Sequence, residues 1–203
     1  MDIVAHSLWA GLGVAAVARR WPVSTSQART AVALAALPDI GHLIPIALWG
    51  LLGSGTWAAI QGYAFATPGT EPWLPAGVEA WSHTLHCVMH SAVVASVVTA
   101  IVWFRWQRML VPLAGWWSHI VIDVFTHSND YYPSPVLYPI TARGFDGIAW
   151  PTPWFMALNY AALVVAAVWL FRVRRRQLRW HDAPAGESRP EGMAPLDRHA
   201  TNE

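Results

Sequence analysis

The segment Gly115-Trp116-Trp117-Ser118-His119-Ile120-Val121-Ile122-Asp123-Val124-Phe125-Thr126-His127 sets two imidazoles and a carboxylate at four-residue intervals in an otherwise apolar run. On a helix, that spacing puts all three side chains on one face, where they can converge. A carboxylate at the centre of a membrane helix costs roughly 2.5–3.5 kcal/mol even on lenient insertion scales. A bound cation is the simplest way to offset that cost. Leu37-Pro38-Asp39-Ile40-Gly41-His42 is a second polar island, just after a proline that frees backbone groups and can kink a helix. His86 and His90 have the i, i+4 spacing of helical metal-binding pairs. His6 lies near the outer end of the first apolar stretch. The expectation is a metal site inside a bundle of membrane helices. His127 reads equally as a residue supporting the ligands or as an interfacial one, and His83 as interfacial.

Imidazole and carboxylate without thiolate suit zinc, manganese or iron rather than copper(I). Cys87 is the only cysteine, which excludes internal disulfides and thiolate zinc sites of the finger type. More candidate ligands are present than one ion needs, so one or two ions are expected. Two ions roughly 3.5–4 Å apart would clamp the attacking and leaving oxygens of a hydrolysed ester. The expected nucleophile is water activated by the metal. Asp39, His86 and Asp123 are the residues expected to do catalytic work.

Hydrophobic residues make up 55% of the 203-residue chain and charged residues 12%, about half the usual charged share. That composition points to a membrane protein. A formal net charge of +1 offers no basic face for nucleic acid. The apolar stretches are Ile3–Ala18, Ala31–Leu52, Val88–Phe104, Met109–Phe125 and Phe155–Phe171, several of them short for a span. Arginine placement supplies the orientation. With Arg172, Arg174, Arg175, Arg176 and Arg179 in the cytoplasm, Arg19, Arg20, Arg29, Arg105 and Arg108 fall there too. The expected fold is an all-α polytopic bundle of about five spans over residues 1–180, N-terminus outside and C-terminus inside. Asp2 before the first apolar run and Arg19-Arg20 after it reverse the order of a secretory signal, so a retained helix is expected.

Gly53–Trp81 and Ser128–Trp154 read as external loops rich in proline and aromatic residues, in keeping with interfacial belts. Residues 181–203 read as a disordered cytoplasmic tail. Arg143 is the only arginine placed outside, and its fork of donors suits an anionic substrate group. On this topology His6, Asp39, His42, His83, His86, His90, His119, Asp123 and His127 all fall in the outer leaflet or the bilayer middle.

Taken in order, His6-Ser7, Leu37-Pro38-Asp39-Ile40-Gly41-His42, His86-Cys87-Val88-Met89-His90-Ser91, His119-Ile120-Val121-Ile122-Asp123 and Pro135-Val136-Leu137-Tyr138-Pro139 resemble a known bacterial family. It is the LexA-regulated, membrane-bound metal-dependent hydrolases of the inner membrane, and the resemblance covers about Met1–Asp146. In the third motif, Thr84 and Cys87 stand differently from the family's usual basic residue and threonine. The resemblance implies metal ligands at His6, Asp39, His42, His86, His90, His119 and Asp123. It names no substrate; a phosphoester of lipid or envelope material is the expected class. Two other functions fit the same residues: a divalent-ion or proton transporter, and a membrane protein whose metal is structural.

Overall fold

Asp2 starts the first helix. Its carboxylate accepts the Ala5 N–H at 2.9 Å and caps α1 (Ile3–Val17), while the Tyr160 hydroxyl donates to the same oxygen at 3.0 Å. Ser24 and Gln27 form a reciprocal capping box at the head of α2 (Thr25–Gly41), satisfying two otherwise unpaired donors. α2 carries Pro38 in its last turn and gives way to α3 (Ile44–Leu52) at a 62° bend. Then come α4 (Trp57–Ala64), α5 (Ala76–Met89), α6 (Ala92–Arg105), a 3-10 turn (Gln107–Met109), α7 (Leu110–Thr126) and α8 (Pro153–His181). The computed structural model describes residues 1–181, and they are all-helical, without a named strand.

Small residues let α1, α2 and α7 approach closely. Ala5 and Ala10 on α1, Ala31 and Ala35 on α2, and Gly115 on α7 are buried. A Cβ on Gly115 would stand 1.9 Å from the Ala31 carbonyl oxygen, so only glycine fits there. One turn further along both helices, the His119 Nδ1 meets the Ala35 carbonyl at 2.7 Å. The two helices therefore run in the same direction, and the next turn of each brings its aspartate, Asp39 or Asp123, to the same level. α6 packs against the other side of α7 through Ala95, Leu113, Trp116 and Ile120. Met1, Ala5 and Leu163 join α1 to α8.

Polarity is arranged inside out. His6, His90, His119 and Asp123 are fully buried, while Leu52 is 81% and Phe104 83% exposed. One helix among the described residues, over Pro153–Gln177, is long and apolar enough to cross a membrane. The count reaches three if the bent pairs α2–α3 and α5–α6 each act as one span. α1 and α7 are apolar, with 15 and 17 residues. At 1.5 Å per residue they reach about 22 and 26 Å, short of a roughly 30 Å hydrocarbon core.

Three expectations need correction. The apolar stretch Val88–Phe104 is not one helix. It breaks at His90-Ser91, because Ser91 caps a new helix by accepting the Val94 N–H at 3.1 Å. The Trp116 indole donates to the Met89 carbonyl at 2.6 Å, and the Ala92 N–H to Val136 at 2.9 Å. The region Gly53–Trp81, read as loop, contains α4 and the start of α5. Finally, His127 lies just past the end of α7 rather than within it, although its Nε2 still reaches Asp123 Oδ1 at 3.5 Å. α7 stops at Thr126, and His127 is extended. The Gly147, Ile148 and Trp150 N–H groups take the carbonyls of His127, Phe125 and Thr126 at 2.8–3.0 Å and so end the helix. Of the expected tail, His181 is the last residue of α8, and 182–203 lie outside the described residues.

Candidate metal centre

Three helices deliver four ligand atoms, two of them from α7, to a single buried point. Asp39 comes from the last turn of α2, His90 from the break after α5, and His119 and Asp123 from successive turns of α7. Their ligand atoms all lie within 4.8 Å of one another. The His119 and His90 Nε2 atoms are 3.0 Å apart. Asp123 Oδ2 stands 3.0 Å from His119 Nε2 and 3.3 Å from His90 Nε2. Asp39 Oδ1 is 3.7 Å from each. A tetrahedron around a zinc ion with bonds of 2.0–2.1 Å has edges of about 3.3 Å. The four atoms stand close to that spacing already.

The backbone fixes which nitrogen of each ring faces inward. His119 Nδ1 donates to the Ala35 carbonyl at 2.7 Å, and His90 Nδ1 to the His86 carbonyl at 2.8 Å. A carbonyl can only accept, so Nδ1 carries the proton and Nε2 of the neutral ring presents a lone pair. Such second contacts orient histidines for metals. The result is two lone pairs and two carboxylates pointed at one another. Asp39 Oδ2 and Asp123 Oδ2 have no hydrogen-bond partner of their own. Buried acceptors facing acceptors need a positive charge among them. A proton on one ring would supply one charge, whereas a divalent ion would balance both carboxylates and use all four atoms.

On the other oxygen of Asp123 stand further groups. His6 Nε2 is 2.9 Å and His127 Nε2 3.5 Å from Oδ1. The Thr126 hydroxyl donates to Oδ1 at 3.2 Å, and the Met1 amino group pairs with it as well. His127 is held by Nδ1, which donates to the Tyr132 carbonyl at 2.6 Å. Tyr132, whose φ is +46°, also donates its hydroxyl to Glu71 Oε1 at 2.6 Å. That bond lowers the Glu71 carboxyl from its usual value. This tie between the two loops is thus complete above the ordinary glutamate range and is lost as pH falls through the lowered value.

The structure therefore brings together His6, Asp39, His90, His119, Asp123 and His127. It leaves His42 and His86 beside the group rather than in it. The ring of His86 lies 4.2 Å from that of His90, and His42 packs edge-on to His86 at 5.7 Å. Asp39 is the ligand nearest solvent, its side chain 16% exposed. His83 is exposed and touches Cys87 Sγ at 3.5 Å. Arg143 is exposed on the loop that docks on Ser91 and Ala92, with its backbone N–H on Thr141 and its side chain in no ion pair among the described residues. Sequence reasoning passed over Thr126, although its i, i+3 position relative to Asp123 was visible. It could not have found the Ala35, His86 and Tyr132 carbonyls, which are tertiary contacts or depend on where a helix ends.

No family model, curated protein or solved structure matches this chain.

Proposed function

We propose that this chain is a membrane-embedded metal-dependent hydrolase with a divalent cation, zinc foremost, held by Asp39, His90, His119 and Asp123. The observation that carries the reading is the convergence of those four ligand atoms, with both histidines oriented by backbone carbonyls. When bound, such an ion supplies Lewis acidity and an activated water. Asp39 is the least buried of the four, and its buried, unpartnered Oδ2 can receive the proton of such a water. His86 and His42 pack beside His90. A purely structural metal favours a closed shell, and the partial exposure of Asp39 supports a reachable one instead. The resemblance of the ordered motifs to those of the bacterial membrane-bound hydrolases points the same way. A phosphoester in lipid or envelope material is the proposed substrate class.

The test is turnover of a panel of phosphoester and amide substrates by detergent-purified protein loaded with zinc or manganese. Chelator-sensitive hydrolysis that disappears in Asp39→Asn is expected. Metal-loaded protein that turns over none of the panel, or equal rates in Asp39→Asn, would count against an enzyme.

Arg143 is proposed to hold the anionic part of the substrate. Its guanidinium can pair with a phosphate through two parallel hydrogen bonds, which a lysine cannot reproduce. Arg143→Ala is expected to raise KM about 10-fold or more, with Arg143→Lys between it and wild type and metal content unchanged in both. Wild-type kinetics in both variants would assign this arginine to lipid headgroups.

The inside-out polarity supports a polytopic arrangement of about five crossings in the bacterial inner membrane, with the metal centre toward the outer face. On a Cys87→Ala background, cysteines at the exposed positions Ala76 and Asn129 are expected to react with a membrane-impermeant thiol reagent in intact cells. One at exposed Gln107 is not. The opposite pattern would invert the topology.

A further inference from the structure

The two oxygens of Asp123 face two different sets of ligands. Oδ2 looks toward His90 and His119, and Oδ1 toward His6 and His127. We propose that Asp123 bridges two divalent cations, the second held by Oδ1 together with His6 Nε2 and His127 Nε2. This inference rests on the first metal centre proposed above and adds a neighbour to it.

His6 is the first observation. Its ring is fully buried, and neither nitrogen has a hydrogen-bond partner. Nε2 nonetheless approaches Asp123 Oδ1 to 2.9 Å without the alignment of a hydrogen bond. Buried imidazole nitrogens are nearly always paired, and one left over calls for an unseen partner. A cation lying between Nε2 and Oδ1 would use both lone pairs. His127 is the second observation. With Nδ1 committed to the Tyr132 carbonyl, the neutral ring turns a lone pair on Nε2 toward Oδ1, 3.5 Å away.

The Met1 amino nitrogen lies against Asp123 Oδ1 and 3.1 Å from His127 Nε2, so an ion entering here displaces it. The two places also adjoin. The rings of His6 and His119, one from each set, stack with centroids 3.9 Å apart. A bridging carboxylate between adjacent nitrogen ligands suits ions roughly 3.5–4 Å apart, the spacing of paired hydrolytic metals. Nitrogen and oxygen ligands without sulfur favour zinc or manganese.

Metal stoichiometry of the purified full chain, loaded with manganese and dialysed, decides the matter, with electron paramagnetic resonance as the second readout. Wild type is expected to hold two ions per chain with a spin-coupled signal. His127→Gln lies outside the helices and is expected to keep one ion and show the spectrum of an isolated ion. His6→Gln is expected to do the same, each variant losing affinity for the second ion about 100-fold or more. One ion in wild type, unchanged in both variants, would overturn the second site and leave the first intact. Two ions retained in both variants, or two ions without spin coupling, would overturn the bridging geometry. No bound ion in wild type would overturn the first site along with the second.

Discussion

Asp123→Asn is expected to lower affinity for the metal by at least about 100-fold, more than the roughly 10–100-fold that outer partners of a metal ligand usually contribute. The substitution keeps the shape of the side chain and removes its charge. Asp123 is the most connected group of the centre, facing His90 and His119 on one oxygen and His6, His127 and the Met1 amino group on the other. Because the ion binds the folded chain, lost affinity is lost stability. At a metal concentration 100 times the dissociation constant, binding adds about 2.7 kcal/mol, and the variant would forfeit nearly all of it. Thermal unfolding with and without chelator is the measurement. The variant should melt at the same temperature in both conditions, while wild type should melt higher with metal. A variant with wild-type metal content and a wild-type response to chelator would make Asp123 a buried polar residue and nothing more.

Gly115→Ala is expected to damage stability and metal binding together, although Gly115 is four residues from His119 and binds nothing. The added methyl would meet the Ala31 backbone, whose carbonyl oxygen would be 1.9 Å away and carbonyl carbon 2.6 Å. Backbone cannot rotate aside, so α2 and α7 must separate. Forced overpacking of this kind costs about 1–3 kcal/mol, occasionally more. Separation also stretches the bond from His119 to the Ala35 carbonyl and draws Asp39 away from Asp123. Gly13→Ala is the control. It is an exposed position of α1 with nothing within 4 Å, so alanine should stabilise by roughly 0.5–1 kcal/mol through its better helix propensity. Equal melting temperatures for Gly115→Ala and Gly13→Ala would contradict the close approach of α2 and α7.

Much of this was legible in the chain, for reasons that differ by residue. His119 and Asp123 share a face because they sit one turn apart in an uninterrupted apolar helix, and spacing alone reveals that. Pro38 announced the bend between α2 and α3, because proline removes a donor and can kink a helix. The break at His90-Ser91 gave no such notice. Val88–Phe104 is apolar apart from His90, Ser91, Ser96 and Thr99, and the interruption also depends on Trp116 and Val136, which are distant in sequence. The same holds at the other end of α7, where Gly147–Trp150 terminate the helix at Thr126 while His127 still reaches Asp123. Spacing also offered His42 and His86 as ligands on equal terms with His90. It could not show that the helix break turns His90 inward and leaves the other two packed alongside. Sequence periodicity describes faces of helices, whereas this centre is assembled at their ends.

The most direct measurement of the central account is zinc binding by the detergent-purified protein, by elemental analysis and by competition with a chromophoric chelator. Wild type is expected to hold at least one zinc ion per chain after dialysis and to outcompete the chelator. His119→Ala, which removes a ligand and its tie to Ala35, should lose that zinc while the chain stays helical. Wild-type protein that comes through dialysis without zinc and fails to take it from the chelator would contradict a metal centre at Asp39, His90, His119 and Asp123.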